Sequence, residues 1–469
     1  MALRNIRTWS RKPSSVLTAR KELYVKKNRH ITTPRTASTL LALSILAAGV
    51  GSADAGEVLD LTGPYFGQQP PGFEAELFAP DLISQEGRYE FAISFAPGGK
   101  RIVFTVQTAA GTVQVLHSRM SDGFWTRPEP VSLTAGARKD EMEAFFAPNG
   151  RFLYFAPYDE GLDVRIWQVE IVGDDFVDPA PLTGPIAASP AFFPTSASSG
   201  AIYYTNIAER KPYRAVRGSD GSWLVEPLVL EFGGHIFVAP DESFVLVDAR
   251  ADDSRGKGDI YVAFASEDGG WSKPVNLGGG VNSEFSESCP SLSDDGKFLF
   301  FSRYDEPAEV AQIYWVDSGV INDARQRLLI EETVYDSIAW ALTKDRARLE
   351  SIIAHDDDYF SFHPDGLDGV HGYADFERGF ELWMDPRFEA TRTDVRQFRC
   401  HRSSSGEVAW FSAILDDCYI WDGQPGCWRD TRWTGVLEKR AGRWQIVQMH
   451  FSFARDRGDS ATDGAEASE

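Results

Sequence analysis

Five times in the middle of this chain the same phrase returns: an apolar strand, a turn of Pro, Asp, Asn, Ser or Gly, and a second apolar strand. The copies are Glu90-FAISFAPGGKRIVF-Thr105, Glu141-MEAFFAPNGRFLYF-Ala156, Ala188-SPAFFPTSASSGAIYY-Thr205, Gly234-HIFVAPDESFVLV-Asp248 and Glu287-SCPSLSDDGKFLFF-Ser302. Read with the third turn at Pro194, successive turns lie 46 to 54 residues apart. A fixed period of this size marks a supersecondary unit that cannot bury its apolar face alone and must stack on copies of itself.

Each copy continues in the same way. A third strand follows, as in Thr112-VQVLHSR-Met120 or Asp259-IYVAFAS-Glu267, then a polar turn and a fourth segment. Three of these turns carry Asp-Gly followed closely by Trp125, Trp223 or Trp271. Asp-Gly is a tight hairpin signal, and the Trp is large enough to cover the gap between adjacent sheets. The unit is therefore a four-stranded antiparallel meander, the blade of a β-propeller. The last copy supplies only three strands, ending near Asp317. The segment 73–84 resembles the missing fourth, and pairing it there would close the ring and remove exposed sheet edges. Five blades are expected, with six as the alternative.

The phrase at 90–100 and at 287–297 resembles the repeat of the TolB-like propeller family, over about 250 residues. The third copy, around Pro194, departs most. The resemblance implies a platform for a protein, peptide or glycan and says little about chemistry. Glu90, Glu141 and Glu287 share one register before the turn, where the other two copies read as Ala187 and Gly233. Innermost strands line a propeller's channel, so three carboxylates could converge there as a cation or sugar site, or as the acid and base of a glycosidase. The plainer reading is solvated carboxylates at strand starts that accept neighbouring backbone N–H groups.

The period changes at Ala324. Leu329, Ile330, Val334, Ile338, Ala341 and Leu342 fall at helical spacing, and further helices are expected over 345–354 and 373–384. Four strand-like stretches follow at 388–402, 407–421, 427–439 and 443–454, and 355–371 reads as a loop. Helices first and a curled antiparallel sheet afterwards make an α+β cone. The stretches 338–345, 363–366, 408–413 and 442–452 resemble the SnoaL-like branch of the nuclear transport factor 2-like superfamily. That resemblance implies a pocket between helices and sheet. The superfamily holds cyclases, isomerases and dehydratases beside proteins that only bind or dimerise.

Alternation along the last strand puts Trp444, Ile446, Gln448, His450 and Ser452 on one face, and Val447, Met449, Phe451 and Phe453 on the other, which is evenly apolar and reads as packing. Polar groups among aromatics suit a pocket lining, to which Trp410 also belongs. His450 is the candidate acid or base, because its proton exchanges near neutral pH. Arg432 or Asp416 would orient it, and Asp358 or Tyr373 would close the pocket mouth. The plainer reading is a hydrogen-bonded core or interface histidine. Five of the eight His lie in this unit, near Asp356, Asp357, Asp358, Asp365 and Asp368. They show no metal-type spacing on one helix face. No nucleophile elbow, phosphate loop or dinucleotide fingerprint is present, so neither metal nor cofactor is expected.

A formal charge of −22 argues against nucleic-acid partners, which need clustered Lys and Arg. Residues 1–35 hold ten Lys/Arg and one acid, followed by Ala37-STLLALSILAAGV-Gly51 and Ala53-Asp54-Ala55. This is the order of a secretory signal, 1–55, with an apolar run too short to span a bilayer comfortably. A periplasmic or secreted mature protein with no membrane span is expected. Cys418 and Cys427 flank Asp422-Gly423, a type I′ turn signal. If those two residues form the loop, the thiols stand directly cross-strand and within bridging reach. Reduced thiols are the alternative.

The expected organisation is a signal peptide at 1–55, a propeller at 57–322, a cone at 325–456 and a disordered tail at 457–469. The fold class is an all-β propeller followed by an α+β cone. The expected role is recognition: a protein, peptide or glycan on the propeller, and a small apolar molecule or a second copy on the cone. The alternatives are a cyclase, isomerase or hydratase using His450, and a propeller glycoside hydrolase.

Overall fold

The computed structural model describes residues 58–454 apart from 109, 160–163 and 365–367. The expected signal segment and C-terminal tail lie outside the described residues. The chain divides between Ala324 and Arg325 into two units.

The first unit is a propeller of five four-stranded blades among the described residues. The innermost strands are Tyr89–Phe95, Asp140–Phe146, Ala191–Ser196, Ile236–Val238 and Ser286–Leu292. They neighbour one another in that order, and the fifth neighbours the first. Within each blade the order follows the chain, strand by antiparallel strand. The fifth blade takes its outer strand from the other end of the repeat region: Glu76–Leu77 pairs with Val310–Asp317, Glu76 opposite Trp315. Phe78, fully buried, follows it into an aromatic cluster with Phe300, Trp315 and Phe95. The ring is thus closed by chain segments some 240 residues apart, as the repeat pattern implies.

All five repeats share one turn. The N–H groups of Gly99, Gly150, Gly200, Glu242 and Gly296 donate to the carbonyls of Ala96, Ala147, Ala197, Ala239 and Ser293. This register corrects the third copy. Its turn is 197–200, and Pro194 lies inside the innermost strand. A proline is tolerated there because the ladder is broken between Phe192 and Thr195, so Pro194 has no bond to donate. The counterpart of Glu90 in that blade is Ala191, not Ala187. The first, second and fifth blades carry the same break in the ladder. Its first residue is Ala92, Glu143, Phe193 or Cys289, each at φ between 51° and 57°.

In the second unit the sheet runs, by neighbours, Val370–His371, Phe360–Phe362, Arg443–Ser452, Gln424–Arg440, Val408–Trp421 and Phe388–Arg402. The stretch expected as loop, 355–371, therefore contributes two short strands. The helix expected over 373–384 is two short ones, Tyr373–Arg378 and Phe380–Trp383, meeting at Gly379. Ile330, Val334 and Trp340 of the helix Gly319–Thr343 join Phe376 and Phe380 in one core. Against them lie Phe411, Leu415, Trp433, Leu437, Trp444, Ile446, Met449 and Phe451 of the sheet. Cys418 and Cys427 stand opposite each other across the Asp422-Gly423 turn and are joined as a disulfide. No helix among the described residues is long and apolar enough to cross a membrane.

Candidate functional site

The last strand decides which side chains face the cone's interior. Its ladder slips between Val436–Gln448 and Leu437–Ile446, so Val447 is an extra residue. A bulge of this kind reverses the face of everything beyond it. Trp444 and Ile446 are buried in the core, and so are Met449 and Phe451. His450 is exposed, and Gln448 and Ser452 are half-buried. This corrects the strict alternation that grouped His450 with Trp444 and assigned Met449 and Phe451 to the opposite face.

His450 lies in a cross-strand row of Phe362, His450, Thr434, Ser412 and Arg399. Beside it runs a second row of Phe360, Gln448, Val436, Trp410 and His401. A third holds Ser452, Arg432 and Ile414. Phe360, Phe362 and Trp410 are 37%, 40% and 47% exposed, so this is an open face bearing aromatics. The Phe362 and His450 rings are edge to face at 6.1 Å, and His401 stacks on Trp410 at 5.8 Å.

The other expected pocket residues are dispersed. Asp416 accepts the Asp430 N–H at 2.8 Å and the Arg396 guanidinium at 2.8 Å, with Arg392 at 3.4 Å. These contacts, the Asp430 N–H foremost, hold its carboxyl below the usual range. Trp444 donates to Gln326 at 3.0 Å. Tyr373 donates to Glu350 and stacks on His355 at 3.9 Å, and Asp358 is exposed. An open depression of about 420 Å³ over the short helices is lined by Arg346, Glu377, Arg378 and Met384, and by none of the expected residues.

Sequence reasoning missed the groups that do face inward. Tyr359 and Ser361 are fully buried on the inner side of the short strand, and His363 follows at half burial. Their spacing of two was the available signal, hidden because the stretch reads as loop. His363 stacks on Phe451 at 5.6 Å, and Phe451 stacks on Trp433 at 5.6 Å. Trp433 Nε1 and Thr431 Oγ1, on the same strand and face, are buried without hydrogen-bond partners among the described residues. Burial raises the Tyr359 hydroxyl above its ordinary pKa and the Asp417 carboxyl to about 6.

In the propeller, each of the three register-matched glutamates is buried and tied to the loop just before its own strand. Glu90 accepts the Gln85 N–H at 2.9 Å and Arg88 Nε at 2.6 Å. Glu141 accepts the Leu133 and Thr134 N–H groups, both at 2.7 Å. Glu287 accepts Ser283 Oγ at 2.5 Å and Arg303 Nε at 2.8 Å. They accept neighbouring donors as the plainer reading had it, but in burial rather than in solvent. Burial, only partly offset by these donors, pushes Glu90 up to about 7 and raises Glu287.

Two residues further along each strand the five blades place Ala92, Glu143, Phe193, His235 and Cys289. Three of these are polar, and their donor atoms lie within 4.8 Å of one another. His235 Nε2 stands 3.7 Å from a Glu143 oxygen, and its Nδ1 is 2.6 Å from Asp248. Asp248 also accepts the His235 N–H at 2.5 Å. Burial disfavours the charged ring, but the Asp248 carboxylate and Cys289 outweigh it and hold the pKa well above the ordinary value. Glu143 also braces the ring of blades, accepting the Phe193 N–H at 2.8 Å from the next one.

Residues 330–456 match the family model of the SnoaL-like domain. Among solved structures, the chain is similar to a protein of Agrobacterium tumefaciens described as a TolB. The identity is 17% over 49% of this chain and 77% of that one, with a TM-score of 0.35. It is similar to an NTF2-like protein of Rhodospirillum rubrum at 19% identity, over 27% of this chain and 95% of that one, TM-score 0.22. It is also similar to the association domain of C. elegans CaMKII at 18% identity, over 28% and 97%, TM-score 0.22. At such identities the likeness speaks to fold alone. No curated protein matches the chain.

Proposed function

We propose that this chain is an exported recognition protein whose C-terminal sheet pairs two copies, leaving the propeller to engage a protein, peptide or glycan. The observation that carries the pairing is the open sheet face, where Phe360, Phe362 and Trp410 stand exposed amid His450, Thr434 and Arg432. Exposed aromatics rimmed by polar groups mark association surfaces. The Cys418–Cys427 bridge accords with an oxidising compartment. The same exposure weakens the enzyme reading, because His450 stands on the exposed face rather than enclosed as an acid or base would be. Sedimentation of the full chain tests the pairing. A dimer is expected, converted to monomer by Phe360→Ser with Trp410→Ser. A monomer for the unsubstituted protein across the micromolar range would sink it.

A second reading concerns the cone's interior. Buried donors such as Trp433 Nε1 and Thr431 Oγ1 cost free energy unless something accepts from them. A small, mostly apolar ligand bearing a carbonyl would do so. Thermal-shift measurements with ketones and lactones on the full chain are expected to show stabilisation that Trp433→Phe removes.

A further inference from the structure

The polar trio at the propeller's centre belongs to neither reading. Glu143, His235 and Cys289 come from the second, fourth and fifth blades and occupy the same position in the repeat. They are 1%, 3% and 0% exposed. The inner-strand bulge sets two of them: Glu143 at φ 57° and Cys289 at φ 55°. Ala92 and Phe193 share that geometry, so the bulge belongs to the fold and the side chains are this chain's own choice. A carboxylate, an imidazole and a thiol are thereby brought together against the Phe192 and Phe193 rings, a mixed donor set that a single ion can share. His235 Nε2 has no hydrogen-bond partner among the described residues. Its other nitrogen is fixed by Asp248, the arrangement that orients a metal-binding histidine.

We propose that Glu143, His235 and Cys289 bind one divalent transition metal ion of zinc type, with Asp248 orienting His235. Oxygen, nitrogen and sulfur donors in one site suit zinc and exclude calcium and magnesium, which take oxygen alone. Donors around a tetrahedral zinc stand roughly 3.3–3.7 Å apart at bond lengths of about 2.0–2.3 Å. The trio, within 4.8 Å and with His235 Nε2 3.7 Å from a Glu143 oxygen, needs only side-chain adjustment to reach that spacing. A thiol, an imidazole and a carboxylate in the order Cys289, His235, Asp248 also resemble a nucleophilic set. Cys289 is fully enclosed, however, so no substrate reaches it, whereas an ion can be taken up as the blades close. The ion would tie three blades across the axis of the ring.

The test uses the full chain produced in minimal medium supplemented with zinc or with cobalt. Elemental analysis is expected to find about one metal per chain after gel filtration. The cobalt form is expected to absorb in the near ultraviolet by thiolate-to-metal charge transfer. Both signals disappear in Cys289→Ser and persist in Cys400→Ser, which alters the other free thiol. Asp248→Asn keeps all three donors and is expected to weaken binding about 10–100-fold in chelator competition. Metal content that is absent, or bound without a charge-transfer band, overturns the proposal. Should Cys289→Ser not fold, the cobalt spectrum of the unsubstituted chain and the Asp248→Asn titration decide.

Discussion

The two units use one local device to opposite effect. In the propeller, a β-bulge recurs at the same place in four innermost strands and turns a fixed position toward the ring's centre. In the C-terminal sheet the bulge at Val447 moves His450 from the inner to the outer face. Repetition makes the first readable by comparing copies. The second has no copy to compare with. The same contrast governs stability: the propeller is held by closure of a ring, the sheet by one packed face and one covalent bridge.

The largest effect is expected where the ring closes. Phe78→Ala removes a fully buried ring that packs on Phe300 at 4.9 Å and Trp315 at 5.2 Å. A loss of about 3–5 kcal/mol from the propeller is expected. Hydrogen exchange read by mass spectrometry should show faster exchange across the first and fifth blades and unchanged protection in 388–452. Equal loosening of both units would dissolve the distinction drawn between them.

Next comes the bridge. Cys418 and Cys427 are nine residues apart, so the loop they close is short. Replacing both by Ser is expected to cost the C-terminal unit about 2–3 kcal/mol. Urea titration followed by the same exchange measurement should leave the five blades untouched. A cost below about 0.5 kcal/mol would mean that the hairpin is set by its turn and packing alone.

Much of this architecture could be read from the chain because it rests on alternation and turn chemistry. The blade unit, the closing segment before Ser84, the four long strands and the cross-strand cysteines all follow from residues adjacent in sequence. What could not be read depends on residues that meet only in space. Glu143, His235 and Cys289 share a position in the repeat, but without the bulge and the ring nothing in their neighbours shows that this position faces the centre. Pro194 suggested a turn and proved to sit at a bulge. Tyr359, Ser361 and His363 read as loop because a three-residue strand is too short to show a period.

A third, smaller effect separates the units by pH. Glu90 titrates at about 7 in the propeller, against an ordinary value of 4.5, chiefly because burial disfavours its charge. Between those values the folded form holds a proton that the unfolded form has lost. Stability therefore falls as pH rises from 4.5 to 7. Asp417 in the C-terminal sheet, at about 6 against 3.8, gives the same sign in a lower window. Glu90→Gln is expected to flatten the upper window by about 1–3 kcal/mol, and Asp417→Asn the lower one. Thermal denaturation at intervals from pH 4 to 8 reads both. A slope of opposite sign would mean that Arg88 governs Glu90 more than burial does.

The smallest effect tests the bulge itself. If Val447 turns His450 outward, His450→Ala removes only an exposed ring beside Phe362 and should change stability by no more than about 0.5 kcal/mol. One residue earlier, Met449 is buried against the core, and Met449→Ala should cost about 2–5 kcal/mol. Strict alternation along this strand differs at the histidine: it puts His450 inside with Trp444, while Met449 packs in either case. The ratio of the two losses, measured in the same denaturant series, therefore reports the register of the last strand without reference to any ligand. A loss at His450 comparable to that at Met449 would return the histidine to the interior and, with it, the case for chemistry there.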